Sequence, residues 1–491
     1  MMSHLPALQV VVPLLSAPIC VLLGRGRFAY GFTLAISWVA FVISGLLLQA
    51  VVQGGAISYQ LGGWAPPWGI ELRVDLVNAY VLLIVSAIGA LVMTYAKPSV
   101  DREIGAEQEY LFYTGYLLCL AGLLGVTITG DAFNIFVFFE VSSLASYMLI
   151  SLGPNRRALT ASFNYLIFGT IGATFFLIGV GLLYQMTGTL NIADLAERVA
   201  PLTGTRTVQA AFVFMVVGLA LKAALFPLHA WLPNSYAYAP SVVTIFLAAT
   251  ATKVSIYVLI RTIFTIFGVE FSFGTMSLGP LLFILAIAAM LLGSTVAIFQ
   301  DDIKRMLAWS SVAQIGYMVL GLAFATVNGV AGGILHLFNH ALIKAALFMA
   351  MGCVFYRMGS VRIEAMAGIG KRMPWTTAAF VAGGLALIGV PLTTGFVSKW
   401  YLLLASVESG MWWIAVFILI SSLLAIIYVW RVVEAAYFMP SPDGAPEGEA
   451  PLLMLIPTWV LIIANVYFGM DTRVSVGVAV DAAKALLGGG S

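Results

Sequence analysis

Four lysines, Lys222, Lys253, Lys344 and Lys399, and one carboxylate, Glu140, stand in stretches so apolar that only lipid can be their solvent. Holding a charge at that depth is costly, so residues of this kind face a protein interior or a hydrated path. The chemistry open to such a set is proton transfer. Loss of water opposes the charged amine and a nearby carboxylate restores it, so moving a counter-charge loads or unloads a proton. Glu140, in Phe-Asn-Ile-Phe-Val-Phe-Phe-Glu-Val-Ser-Ser, is the only acid deep in an apolar span and the natural partner of Lys222. The competing account is a structural ion pair that fixes helix packing.

Lys222 lies in Gly-Leu-Ala-Leu-Lys-Ala-Ala-Leu-Phe-Pro-Leu-His-Ala-Trp-Leu-Pro. Pro227 and Pro233 supply no amide hydrogen, so the helix breaks there and its freed backbone groups invite water. Lys253 sits among hydroxyls in Thr-Ala-Thr-Lys-Val-Ser-Ile-Tyr. His336, His340 and Lys344 are spaced four apart, which stacks them on one helix face in steps of about 6 Å, suited to passing protons through intervening water. A polar patch between helices is the plainer account of that face. Two histidines four apart can share a metal, but no third ligand is evident and Lys344 repels a cation, so no metal is expected. Lys399 follows a second break, in Gly-Val-Pro-Leu-Thr-Thr-Gly-Phe-Val-Ser-Lys-Trp. It lies after its proline, whereas Lys222 lies before, so the two are not equivalent.

The elements that must hold these residues are membrane helices. The chain is 62% hydrophobic and 9% charged, with mean hydropathy +1.03, more apolar than a soluble core requires. A net charge of +2 gives no footing for nucleic acid. Cys20, Cys119 and Cys353 are far apart in apolar segments and read as packing residues. A window of about 19 residues finds about 14 apolar spans, beginning with 5–24, which reads as a retained helix. The seventh is 207–226, the eleventh 329–356, and the twelfth 376–393. The stretch from Gly54 to Arg73 is too polar to span, and Trp64 and Trp68 suit a membrane–water interface. Residues 440–450 read as a flexible loop, and the tail after Met470 as a short surface helix or an unstructured end.

Cations in the connections after odd-numbered helices, among them Arg25, Arg156, Arg157, Lys304 and Lys371, outnumber those on the other side, such as Arg73, Arg198, Arg261 and Arg473, by about two to one. That bias places both termini away from the cytoplasm. There is also a hint of duplication. Gly218-Leu219-Ala220-Leu221 recurs as Gly384-Leu385-Ala386-Leu387, each ahead of a helix-breaking proline, Pro227 or Pro391. Ile256-Tyr257-Val258 recurs as Ile427-Tyr428-Val429. Five helices separate the copies, so they run in opposite directions, as in ion-moving proteins built from inverted repeats. The expected division is 1–109 for three N-terminal helices, 110–261 and 275–438 for two inverted five-helix units, and 439–491 for a loop, the last helix and the tail.

The run from Lys222 through His229-Ala-Trp-Leu-Pro-Asn and Ala239-Pro240-Ser to Lys253, with Ser310-Ser311, Gly316-Tyr317-Met318, and His336 through His340 to Lys344, resembles the antiporter-like subunits of Mrp-type cation/proton antiporters, respiratory complex I and membrane-bound hydrogenases. The likeness covers roughly residues 70–440. Length and the lysine at 399 bring it nearest the D-type member of Mrp-type Na+/H+ antiporters; it lacks the long extensions of the larger members. The resemblance implies 14 helices in two inverted units. It makes Glu140 and Lys222 the paired acid and base, Lys253 the connecting lysine, His336, His340 and Lys344 the central axis, and Lys399 the terminal proton site. Asn234 departs from the aspartate common after Leu-Pro, which removes any carboxylate role at that turn.

The expected protein is therefore an all-α, multi-pass cell-membrane subunit that moves protons along this chain of residues and exchanges them for sodium or another monovalent cation in a multisubunit antiporter. Its partners would be the other subunits, protons, the cation and the lipid bilayer, and no cofactor is expected. The alternative is a proton-pumping subunit of a redox-driven complex, a NADH-quinone oxidoreductase or a hydrogenase; a third is a structural spacer. The chain carries no nicotinamide, flavin or iron–sulfur motif, so redox chemistry would belong to partners and no enzyme activity of its own is expected.

Overall fold

The computed structural model describes residues 4–24, 26–442, 444 and 446–488. Arg25, two residues of the 440–450 loop, Asp443 and Ala445, and the end of the glycine-rich tail lie outside the described residues. Helices α1 (Leu5–Leu23) and α2 (Gly26–Gly54) lead to an antiparallel hairpin, β1 (Ile57–Gln60) and β2 (Glu71–Val74), and then to α3 (Leu76–Glu103). Next come α4 (Glu109–Ile128), α5 (Ala132–Ser151), α6 (Arg157–Thr187) and the short α7 (Ile192–Val199). They are followed by α8 (Arg206–Lys222), α9 (Leu232–Tyr238) and α10 (Ser241–Ile260), then α11 (Leu278–Ile298), α12 (Ile303–Ala323) and α13 (Val327–Met358). A single turn, α14 (Ile369–Arg372), precedes α15 (Pro374–Ile388), α16 (Thr394–Glu408), α17 (Trp413–Phe438), α18 (Leu452–Met470) and α19 (Arg473–Leu486).

Backbone groups in lipid must be satisfied within the segment, which is why nearly all of this chain is helix. Among the described residues, 12 helices are long and apolar enough to cross a membrane. Two further expected spans are broken. The 207–226 span ends as α8 at Lys222, and the 376–393 span ends as α15 at Ile388, with α16 beginning only at Thr394. Pro227 and Pro391 are the cause, and the chain turns through positive φ at Ala224 (55°) in one break and at Gly389 (92°) and Leu392 (71°) in the other. The hairpin between α2 and α3 is an addition to the sequence expectations; it is the form taken by the non-spanning stretch, with Trp64 and Trp68 exposed at its turn. The tail is helical, and Ala479, Ala482 and Ala483 of α19 are buried against α3 and α13.

The helices that carry polar residues are central. The most apolar window of α13 is buried throughout, and α13 contacts α3, α10, α12, α15, α16 and α18. The outer helices expose apolar side chains instead, Leu419, Leu423 and Ile427 on α17 and Ile456 and Ile463 on α18. Near Lys222, α6 and α8 meet closely: a Cβ on Gly218 would stand 2.5 Å from the carbonyl oxygen of Gly172, so only glycine fits.

One structural detail recurs on both faces. Asp131 caps α5 by accepting from Asn134 N at 2.8 Å and bridges to Asn191; Asp302 caps α12 by accepting from Arg305 N at 2.9 Å and bridges to Arg362. The same interval separates Asp131 from Asp302 and Asn191 from Arg362. The chain reverses direction at each crossing, so Asp131 lies on the face that carries the hairpin and Asp302 on the opposite face. A motif repeated upside down is what an inverted duplication produces. Burial pushes both carboxyls above the ordinary aspartate range, opposed by their backbone hydrogen bonds.

Candidate proton-conducting site

Lys222 is the last residue of α8. Its Nζ lies 3.4 Å from Glu140 Oε1, donates to Ser143 Oγ at 2.8 Å and stands 5.1 Å from the centre of the Phe139 ring. Glu140 and Ser143 are adjacent on α5 because they are three residues apart. Beyond Lys222 the Leu221 carbonyl accepts from the Ala224 amide at 3.1 Å and from Trp231 Nε1 at 3.0 Å; the indole is stacked on Tyr165 at 4.0 Å. The buried indole N–H is thereby satisfied on the backbone of the break and ties the segment after it to the end of α8.

Lys253 is fully buried on α10, where it donates to the Ala248 carbonyl and, at 3.4 Å, to Thr252 Oγ1. It lies within electrostatic range of His336, His340 and Lys344. His336 is held at both nitrogens: Nδ1 is 2.9 Å from Ser398 Oγ and Nε2 is 2.9 Å from Gln314 Oε1. Because Gln314 offers an acceptor, Nε2 carries hydrogen. Ser398 also reaches the Gly395 carbonyl at 3.3 Å. The hydroxyl can therefore donate to a neutral ring, or accept from a charged one while donating to Gly395, so His336 can change protonation with no heavy atom moving. His340 stacks on His336 at 6.1 Å, and neither of its nitrogens has a partner among the described residues. Lys344 donates to the Leu307 carbonyl at 2.6 Å and to Ser310 Oγ.

Lys399 enters from α16 and closes over the second break. Its Nζ donates to the carbonyls of Leu387 (3.1 Å) and Ile388 (2.7 Å) at the end of α15, and to Ser422 Oγ (2.9 Å). Those carbonyls are the ones a helix end leaves unpaired, and a cation suits the negative end of the helix dipole. The Tyr317 ring lies 4.9 Å from Lys399 Nζ and 5.2 Å from the His336 ring. Lys399, Tyr317, Ser398 and His336 are thus one connected cluster.

The structure brings Glu140 to Lys222, and Lys399, across Tyr317, to His336, on which His340 stacks. Among the described residues no direct hydrogen bond joins Lys222 to Lys253 or Lys253 to His340, so passage between them requires bridging water. Two sequence expectations are corrected. Glu140 is not buried as its lysine is: its side chain is 24% exposed against 4% for Lys222, because α5 lies at the bundle's edge. Glu103, at the end of α3, is the more deeply covered acid at 3%. Lys304 and Arg261, assigned to connections, are both buried, paired with Glu103 and Asp75 respectively. Hydropathy along the chain does not register lateral packing at helix ends. The partners Ser143, Gln314, Ser398 and Ser422 come from the structure alone; Ser143 at i+3 from Glu140 and Ser398 beside Lys399 are the two that spacing could have flagged.

Residues 129–425 match the family described as NADH:quinone oxidoreductase/Mrp antiporter, transmembrane. The chain is 44% identical to the N-type subunit of the NADH-quinone oxidoreductase of Desulforudis audaxviator, covering 96% of each sequence. It is 34% identical to the D-type subunit of a Na+/H+ antiporter of Alkalihalophilus pseudofirmus, over 95% of this chain and 94% of that one. Among solved structures, it superposes on a chain of the Mrp complex of Dietzia sp. with TM-score 0.90 at 27% identity, covering 99% of this chain and 97% of that one. It superposes equally well, TM-score 0.90 at 31% identity over 99% and 98%, on a chain of the archaeal membrane-bound sulfane sulfur reductase. With this spread of relatives over most of its length, the chain belongs to the NADH:quinone oxidoreductase/Mrp antiporter transmembrane family.

Proposed function

We propose that this chain is the proton-translocating subunit, of the D type, of a multisubunit Na+/H+ antiporter in the cell membrane. Protons pass from Glu140 and Lys222 to Lys253, through His336, His340 and Lys344, to Lys399, within two inverted units at 110–261 and 275–438. Both termini face away from the cytoplasm. The observation that carries this reading is that each helix break is occupied by a buried lysine, Lys222 against the movable Glu140 side chain and Lys399 against the α15 carbonyls. Moving one charge through 100 mV is worth about 2.3 kcal/mol, and a tenfold change in proton affinity about 1.4 kcal/mol, so modest changes in pairing suffice to couple to the gradient.

A second reading, the same path in a redox-driven complex, is favoured by the 44% identity to a NADH-quinone oxidoreductase subunit and the likeness to the sulfur reductase chain. Cation-triggered pH change in everted vesicles carrying the whole complex separates the two. A response to added sodium supports the antiporter; proton movement only on adding a reductant supports the second reading. The spacer account is excluded if Glu140→Gln abolishes either.

A further inference from the structure

On the face opposite the hairpin, a cavity of about 550 Å³ opens between the ends of α3, α9, α12 and α13, lined by Glu103, Asn155, Arg156, Tyr238, Asp302 and Lys304. At its floor lie Glu103 and Lys304, their side chains 3% and 5% exposed, with Oε2 and Nζ 4.0 Å apart. The carboxylate is held in place independently of the lysine: Ser99 Oγ donates to Oε1 at 2.9 Å and the Ser241 amide to Oε2 at 2.8 Å. Lys304 Nζ, 4.0 Å from that carboxylate and 5.0 Å from the centre of the Phe355 ring, makes no hydrogen bond among the described residues, so its donors are left to the cavity. One turn along α12, the Leu307 carbonyl accepts from Lys344 Nζ at 2.6 Å and from the hydroxyls of Ser310 and Ser311 at 2.9 and 3.0 Å. The floor of the cavity is therefore a single helical turn from the seat of the axial lysine.

We propose that Glu103 and Lys304 are a second acid–base switch, set at the floor of a hydrated mouth that exchanges protons between this face and Lys344. The inference rests on the proton-translocating reading above. A purely structural pair would tie α3 to α12 and nothing more. It would be made as a fixed contact, whereas here the carboxylate has other anchors, the ammonium has unmet donors, and water has room to reach both.

The test is proton transport by the assembled complex in everted vesicles. Glu103→Gln keeps the size and can still accept from the Ser241 amide. It should lower the rate about tenfold or more while leaving assembly and melting temperature near those of the parent. A parental rate for Glu103→Gln alongside a dead Glu140→Gln overturns the second switch and leaves the main path standing; parental rates for both overturn the main path itself. Should Glu103→Gln fail to assemble, Asn155→Cys decides, since Cys20, Cys119 and Cys353 are buried. A bulky, membrane-impermeant maleimide attached to the introduced thiol should block transport. Failure to label, or a full rate after labelling, overturns the mouth.

Discussion

His336 and His340 stack ring on ring at 6.1 Å and 7°, yet the first is hydrogen-bonded at both nitrogens and the second has no protein partner at either among the described residues. Removing them should therefore have opposite costs. His336→Leu leaves Gln314 and Ser398 without their partner and should destabilise the protein by about 1–3 kcal/mol. His340→Leu removes two unmet polar atoms and should leave the melting temperature unchanged or raise it. Both should stop proton transport. Thermal unfolding in detergent beside vesicle transport checks the pair, and a destabilised His340→Leu would mean the ring has structural partners of its own.

The Glu140–Lys222 pair should be indispensable to transport. Glu140→Gln and Lys222→Ala are each expected to lower the rate by about 100-fold, the range for a lost proton-transfer group. Cys119→Ala, in the same bundle and hydrogen-bonded to Ser146, should leave it unchanged. The assay is the cation-triggered pH change in everted vesicles.

Lys399 has two jobs that substitution can separate. Lys399→Gln can still donate to the Leu387 and Ile388 carbonyls and should keep the fold while abolishing transport. Lys399→Ala uncaps α15 as well and should cost a further 1–3 kcal/mol or so in unfolding experiments. Gly389→Ala is predicted to disturb the same place: φ is 92° there, and a Cβ would stand 2.9 Å from Lys399 Cδ.

Asp75 supplies a pH signature outside the spans. Burial pushes its carboxyl up, but the Arg261 charge and hydrogen bond outweigh this and hold it below the ordinary aspartate value of 3.8. A depressed carboxyl contributes stability that is present above its unfolded value and lost as pH falls through the folded one. Asp75→Asn should therefore be less stable than the parent at pH 7, with the gap closing as pH falls below about 4. Denaturant titrations at the two pH values measure it.

The lysines and histidines are legible in the sequence because polar side chains inside a long apolar run stand out against their neighbours, and the breaks because proline removes an amide wherever it stands. Which helix faces which is not written there. Gln314 is an ordinary residue of α12 until α13 sets His336 against it. Glu103 and Lys304, far apart along the chain, look like surface charges at helix ends until α3 and α12 bring them together. Glu140 misleads in the other direction, since hydropathy cannot distinguish the core side of a helix from its rim. The hairpin escapes because its alternating runs, Ile57–Gln60 and Glu71–Val74, are only four residues each and are separated by a Gly- and Trp-rich turn too long to read as a tight hairpin.

The two broken helices seat their lysines in unlike ways, one against a carboxyl side chain and the other against carbonyl dipoles and a hydroxyl. Withdrawing a carboxylate can unsettle the first, and nothing comparable exists to be withdrawn at the second. Lys399 can give up its proton without stranding an anion behind it, so the conductor has a polarity built into its wiring: a lever at one end and a neutral socket at the other.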